Sequence, residues 1–137
     1  MDVTEPDVTG IPIGNLRVPR EEFVIVWREA ARLSEQQGQR GELDWYCGAV
    51  AVTCRWMAAA PLHSPHGDDL TRSPATRVRS LAFEELIEAE YLAAQNLEQR
   101  RADLAARSGW CEGVRATLRW AWRRNGPPPL ELPVFPA

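Results

Sequence analysis

The sequence predicts an all-α protein built as a bundle of about four helices. Apolar residues recur at helical spacing in four segments, and Pro or Gly residues separate these segments. Apart from one candidate pairing within the first eighteen residues, the chain lacks the alternation of apolar and polar residues that β-hairpins require. The length of 137 residues suits one domain, and a hydrophobic content of 45% suits a globular core.

Both ends of the chain are predicted to be extended. Residues 1–18 carry two prolines and two glycines without a helical period, so we expect an irregular arm over the bundle or a neighbouring subunit. The run Pro127-Pro128-Pro129 predicts an extended tail over residues 127–137. This tail can dock in a partner's aromatic groove, on its own bundle or on a sister subunit. Its candidate contact residues are Leu130, Leu132 and Phe135.

The helical domain is therefore predicted over residues 19–126, and its first two helices have clear signals. The first runs from Pro19 to about Gln37, because proline suits a first helical position and an apolar stripe follows at helical spacing. The second runs from about Glu42 to Ala60 and is apolar around nearly its whole circumference. A helix of that kind is buried, so we expect it at the centre of the bundle.

The second half of the domain is predicted to hold a loop and two more helices. The loop spans residues 61–73, and Ser73 with Pro74 forms a favourable helix start. The third helix is expected from Pro74 to about Ala106, and the fourth from Trp110 to about Asn125, with Gly126 after its end.

Charge is distributed unevenly along the chain. The net charge is −3, yet residues 100–124 carry seven Arg against two acidic residues, whereas residues 1–99 carry nine Arg against sixteen. This distribution predicts a basic face on an acidic body. All sixteen basic residues are Arg, which GC-rich coding bias explains without selection at any one position.

The fourth predicted helix carries the main candidate binding surface. Arg115, Arg119 and Arg123 stack at four-residue spacing opposite its apolar arc, and Trp120 projects away from that arc close to Arg124. An exposed Trp beside Arg is typical of a protein interface anchor. Alternatively, Arg contacts phosphates and Trp stacks on a base, which predicts nucleic-acid binding. A plain solvated face, paired with carboxylates of the third helix, also fits.

A buried ion pair between Arg55 and Glu90 is a further prediction. Glu90 falls within the apolar stripe of the third helix, and burial of an unpaired carboxylate costs several kcal/mol. Arg55 lies on the otherwise apolar second helix and is the first candidate partner. A structural role, or exposure at a seam of the bundle, is favoured over a role for Glu90 as a general base.

Metal binding is not predicted. His63, His66, Asp68 and Asp69 have potential ligands at short spacing, but neither a nearby Cys nor a third His completes a site. A magnesium site would need ligands from elsewhere, and the dense supply of carboxylates is Glu84, Glu85 and Glu88.

The three cysteines are expected to be reduced. Cys47 and Cys54 are seven residues apart on one helix, about 10 Å, which is too far for a disulfide. Cys111 opens the fourth helix, where the helix dipole lowers the pKa of a thiol, so it is the best candidate for a reactive cysteine. The simpler interpretation of all three is that they are small core residues.

These patterns predict a non-enzymatic protein that binds a protein partner or itself, with a homo-oligomer expected. The alternative is a nucleic-acid-binding regulator. Motifs for phosphate loops, dinucleotides, serine hydrolases, zinc proteases and CxxC redox sites are all absent from the sequence, so we expect neither enzyme activity nor a cofactor. An odd number of cysteines, no signal peptide and no bilayer-spanning stretch predict a cytoplasmic protein without membrane contact.

Overall fold

The computed structural model describes residues 1–132, and these residues form an all-α fold. Within this part of the chain, β pairing is limited to two isolated bridges, Leu62 with Asp69 and Arg72 with Arg79. A short 3-10 turn spans Ile13–Asn15. The helices are α1 (Glu5–Thr9), α2 (Arg20–Arg40), α3 (Tyr46–Met57), α4 (Glu84–Ala94), α5 (Leu97–Arg100), α6 (Ala102–Ala105) and α7 (Trp110–Ala121).

Helix α3 lies at the centre of the fold, packed against α2 and against α7. Most of its residues are buried, which confirms the predicted central helix. Gly113 brings α7 against α3, because a Cβ at this position would lie 2.7 Å from the carbonyl oxygen of Tyr46 and 2.8 Å from the Cβ of Ala49. The two backbones therefore touch at a point where no side chain fits.

Helix α2 also matches its prediction. It begins directly after Pro19, and its buried stripe consists of Phe23, Val26, Trp27 and Ala30. The helix ends at Gly41, which adopts the left-handed conformation (φ +69°) that commonly terminates helices.

The long third helix predicted from Pro74 to Ala106 is wrong. Residues 74–83 are not helical, α4 begins only at Glu84, and the short helices α5 and α6 follow it. Ser73 closes a single turn instead: its carbonyl oxygen accepts from Arg77 N–H, and its hydroxyl accepts from Val78 N–H. Arg77 stands at φ +61°, outside the helical region, so the turn cannot continue as a helix.

The N-terminal arm is more ordered than predicted. Thr4 and Asp7 form a reciprocal capping box that starts α1, and Val3 and Ile11 are buried in the core of the same chain. Asn15 is buried as well, and its amide donates to the carbonyl oxygens of Met57 and Ala82. The arm therefore fastens α3 to the loop before α4.

The described part of the tail, residues 127–132, contains no helix. The Tyr46 hydroxyl donates a 2.7 Å hydrogen bond to the carbonyl oxygen of Pro129, and Leu130 and Leu132 pack half-buried against the core. This part of the tail therefore lies on its own chain, which is one of the three predicted placements. Phe135, the remaining predicted contact, lies outside the described residues.

Candidate partner-binding cleft

Trp120, predicted to be an exposed anchor, is a core residue. It is only 4% exposed, and its ring lies parallel to that of Phe23 on α2, with 6.3 Å between the ring centroids. The prediction failed because it assumed that α7 buries a single arc. Helix α7 packs against α3, and Trp120 on another side of α7 contacts Phe23 of α2.

Two arginines of the predicted basic face pair with carboxylates of the preceding helices. Both guanidinium NH₂ groups of Arg115 donate to the carboxylate of Glu98, at 2.5 and 2.7 Å, and lower the pKa of that carboxylate. Arg123 contacts both carboxylate oxygens of Glu88 and stacks 4.3 Å from the ring centre of Tyr91. This arrangement matches the plain solvated face described above as one of the alternatives.

The other two arginines of this surface are exposed and form no ion pair within residues 1–132. The Arg119 side chain lies against Gly126, since a Cβ there would be 3.3 Å from its Nε. Arg124 follows the end of α7 with φ +50°. The predicted cluster therefore does not form one continuous cationic surface.

The predicted ion pair between Arg55 and Glu90 does not form, although both residues are buried, at 5% and 4% exposure. Glu90 accepts hydrogen bonds from the backbone N–H groups of Ala75 and Thr76 and from the Thr76 hydroxyl. Because residues 74–83 are not helical, they bring this turn onto Glu90. The carboxylate thus has a structural role with different partners.

Arg55 pairs with Asp7 of the N-terminal arm instead, at 3.4 Å. It also donates to the carbonyl oxygens of Pro61 (2.8 Å) and Asp2 (2.9 Å). Burial acts to raise the pKa of Asp7, but hydrogen bonds from Thr4 and from His63, together with the charge of Arg55, outweigh it. The pKa of Asp7 therefore lies below its usual value.

His63 lies between two carboxylates. Its Nδ1 is 2.8 Å from Asp68 Oδ1, and its Nε2 is 3.2 Å from Asp7 Oδ1. The hydrogen bond to Asp68, followed by that to Asp7, raises the pKa of His63. Within residues 1–132, no group of three or more His, Cys, Asp or Glu side chains is arranged to hold a metal ion.

Cys111, the best candidate for a reactive thiol, does not have the environment that lowers a thiol pKa. Cys111 is buried, and burial, followed by the charge of Glu98, raises its pKa. Desolvation also raises the pKa of Cys47 and of Cys54. All three thiols are free and buried, as the simpler interpretation expects.

A cleft of about 260 Å³ opens between α2 and α3. Four of its lining residues are small, which leaves space between the side chains of the two helices. These are Ala31 and Ser34 on α2 and Gly48 and Ala51 on α3. Larger side chains, mostly apolar, complete the lining: Met1, Trp27, Trp45, Val52, Arg55, Leu62 and Trp110.

Trp45, which lines this cleft, and the nearby Leu43 are exposed apolar residues. Trp45 is 41% exposed, and Leu43, two residues earlier in the loop between α2 and α3, is 80% exposed. The guanidinium carbon of Arg107 lies 5.0 Å from the ring centre of Trp45 and 5.4 Å from that of Trp110. An exposed Trp beside an Arg, which the sequence analysis expected at Trp120, is therefore found at Trp45.

Sequence reasoning missed Trp45 because it started the second helix at Glu42 and buried that helix as a whole. The helix begins four residues later, at Tyr46, so that Leu43 and Trp45 remain in the loop. The available signal was the run Gly41-Glu42-Leu43-Asp44, in which Gly41 and Asp44 favour a turn.

Comparison of the chain with protein-family models, with curated proteins and with solved structures finds no significant match. Among the helices of residues 1–132, none combines the length and the apolar character that crossing a membrane requires.

Proposed function

We propose that this protein is a non-enzymatic protein-interaction module that binds an apolar segment of a partner protein in the cleft between α2 and α3. The observation that carries this proposal is the apolar cleft lined by the partly exposed Trp45. Large aromatic residues beside Arg are enriched among the residues that contribute most to protein binding.

The size of the cleft supports a protein segment as the occupant. Its volume of about 260 Å³ lies below the roughly 300 Å³ at which pockets for drug-sized molecules begin, so it suits one or two apolar side chains. The exposed part of Trp45 extends the contact area beyond the cleft. Arg107 lies over the indole rings of Trp45 and Trp110 and restrains Trp45. The Trp45 side chain therefore loses less conformational entropy when a partner binds.

The partner can also be a second copy of the chain, because any exposed apolar segment of a sister subunit has the required chemistry. The protein is then a homo-oligomer. The proposal also places the protein in the cytoplasm. All three cysteines are free, and the cytoplasm keeps thiols reduced.

Matched variants test the cleft. Trp45→Ala removes the partly exposed aromatic ring that lines the cleft, and Ala51→Leu narrows the cleft. Leu92→Ala removes an exposed apolar side chain on α4, away from the cleft. In quantitative pull-downs, we expect wild type and Leu92→Ala to retain the same partner, and Trp45→Ala and Ala51→Leu to lose it. Sedimentation of the same four proteins tests self-association. Equal partner retention and equal self-association by all four would contradict the proposal.

The nucleic-acid alternative has less support. It depends on Trp120 for base stacking and on free arginines for phosphate contacts. Trp120 is buried, whereas Arg115 and Arg123 are each paired with a carboxylate. We therefore do not favour α7 as a nucleic-acid-binding helix.

A further inference from the structure

Arg77 lies in the turn after Ser73, next to the ring of Trp110, and has an unusual backbone conformation. Its backbone is left-handed (φ +61°), a conformation that is costly for a residue with a side chain. Its guanidinium carbon lies 5.2 Å from the ring centre of Trp110. One guanidinium nitrogen, Nη1, is buried and has no hydrogen-bond acceptor within residues 1–132.

Arg77 also stands among like charges. Burial lowers its pKa, and the charges of Arg107, Arg72 and Arg101 lower it further, while Glu90 acts in the opposite direction. Arg72 donates to the backbone carbonyl oxygen of Arg77, so the Arg72 guanidinium lies against this turn.

The nearby carboxylates are already engaged. Glu90 accepts three hydrogen bonds from the turn, and Asp103 is paired with Arg101 through two contacts of 2.8 and 2.9 Å. Arg101 additionally donates to the carbonyl oxygen of Thr76. Neither Arg77 nor Arg107 forms an ion pair within the part of the chain that the structure describes. Four arginines therefore lie around this turn, and the two nearby carboxylates are already engaged. This local excess of positive charge contrasts with the net charge of the protein, which is −3.

Because Nη1 is closed to solvent, an anion is expected at the accessible part of the half-buried Arg77 guanidinium, where the cationic neighbours stabilise it. The planar donor fork of arginine matches the oxygens of phosphate, and charge-assisted hydrogen bonds of this type are the strong ones. We propose that Arg77 and Arg107, beside Trp110, bind the phosphate group of a small ligand. The proposed site shares Trp110 with the protein-binding cleft, and Arg107 lies over Trp45 of that cleft. It also requires Arg77, which does not line the cleft, so a variant at Arg77 tests the phosphate site separately.

Carboxylates near Arg107 limit the side of this residue on which a phosphate ligand can bind. Asp44, Glu98 and Glu112 line an open cleft that Arg107 also borders, on the N-terminal side of α7. These carboxylates repel a phosphate on that side. The ligand is therefore expected on the Arg77 side of Arg107, where the nearby charges are those of Arg72 and Arg101.

The experiment uses the whole chain and titrates inorganic phosphate at constant ionic strength, with chloride as the replaced anion. Binding is followed by calorimetry and by tryptophan fluorescence, since Trp110 lies beside both arginines. Arg77→Asn removes the guanidinium but tolerates the left-handed backbone. Arg124→Asn is its matched control, because Arg124 is also an arginine with positive φ (+50°) and lies outside the cluster. Arg107→Gln is the second test variant.

We expect wild type and Arg124→Asn to bind phosphate with the same Kd, and Arg77→Asn and Arg107→Gln to bind at least about tenfold more weakly. Phenyl phosphate titrated in parallel distinguishes an organic phosphate, which then binds more tightly, from free phosphate. Far-UV circular dichroism without phosphate shows that each variant is folded. Absence of binding by the wild type, or a Kd for folded Arg77→Asn or folded Arg107→Gln equal to that of Arg124→Asn, would overturn the proposal.

Discussion

Asp7 Oδ1 lies 3.2 Å from Nε2 of His63, which joins helix α1 to the loop that follows α3. The Asp7 side chain is almost fully buried, and its other oxygen lies 3.4 Å from Arg55. One carboxylate therefore fastens three segments that are far apart in the sequence. The stability of this junction depends on pH in two separate ranges.

At low pH, the protein should lose stability through Asp7. Because its pKa in the folded state is below the unfolded value of about 3.9, the stabilisation is present above that value and is lost as the pH falls through the folded pKa. Asp7→Asn should lower the free energy of unfolding at neutral pH by about 3 kcal/mol, because Arg55 loses its buried partner.

Urea unfolding between pH 3 and pH 7 measures this effect. The matched control is Asp2→Asn, since Asp2 contacts Arg55 through its backbone carbonyl oxygen and not through its carboxylate. A pH dependence of Asp7→Asn as steep as that of wild type would contradict the assignment.

At higher pH, the contribution of His63 should disappear. Its pKa in the folded state is raised above the unfolded value of about 6.5, so its stabilisation is complete below that value and is lost as the pH rises through the folded pKa. His63→Gln should abolish this decline, whereas His66→Gln should preserve it, because His66 forms no ion pair within residues 1–132. Titration of the His63 imidazole by NMR provides the check, and a pKa at or below about 6.5 would refute it.

Two glycine-to-alanine substitutions should change stability in opposite directions. Gly113→Ala places a methyl group 2.7 Å from a backbone oxygen of α3 and should destabilise the fold by about 2 kcal/mol. Gly38→Ala, in the last turns of α2, meets no atom within 4 Å and should stabilise it by about 0.5 kcal/mol. Thermal unfolding of both variants decides the matter; a Gly113→Ala protein as stable as wild type would show that α3 and α7 do not touch there.

Replacing Trp120 and replacing Trp45 should lower the free energy of unfolding by different amounts. Trp120→Ala creates a cavity against Phe23 and should lower the free energy of unfolding by about 4 kcal/mol. Trp45→Ala removes a partly exposed ring that lines the cleft and should cost about 1 kcal/mol, mainly the contact with Arg107. Denaturant unfolding compares the two directly. A cost for Trp45→Ala as large as that for Trp120→Ala would place Trp45 in the core.

Local patterns were sufficient for some elements and insufficient for others. Helices α2 and α3 follow from their apolar periodicity and from nearby Pro19 and Gly41, since packing agrees with these local signals. The segment after Ser73 has an equally good helix start, but long-range contacts decide its conformation. Glu90 binds the backbone of the turn, and the Trp110 indole donates to the carbonyl oxygen of Pro74.

The candidate site was less accessible to sequence reasoning than the fold. The helical wheel of α7 separates polar from apolar directions, but it does not show that Phe23 covers Trp120. The stacking of Arg107 on Trp45 joins residues sixty-two positions apart, and only the packed bundle brings them together. The burial of Arg55 and Glu90 was predictable from their apolar helices, whereas their partners were not.

Met1 and Trp45 both line the cleft, which makes Met1 a direct neighbour of any bound segment. Extra residues fused ahead of Met1 leave from the cleft itself and compete with an incoming ligand or obstruct it. A purification handle placed ahead of Met1 therefore needs to be removed before partner binding is measured. The same geometry suggests that a short apolar peptide fused there through a flexible linker would act as a tethered competitor, with strength tunable by linker length.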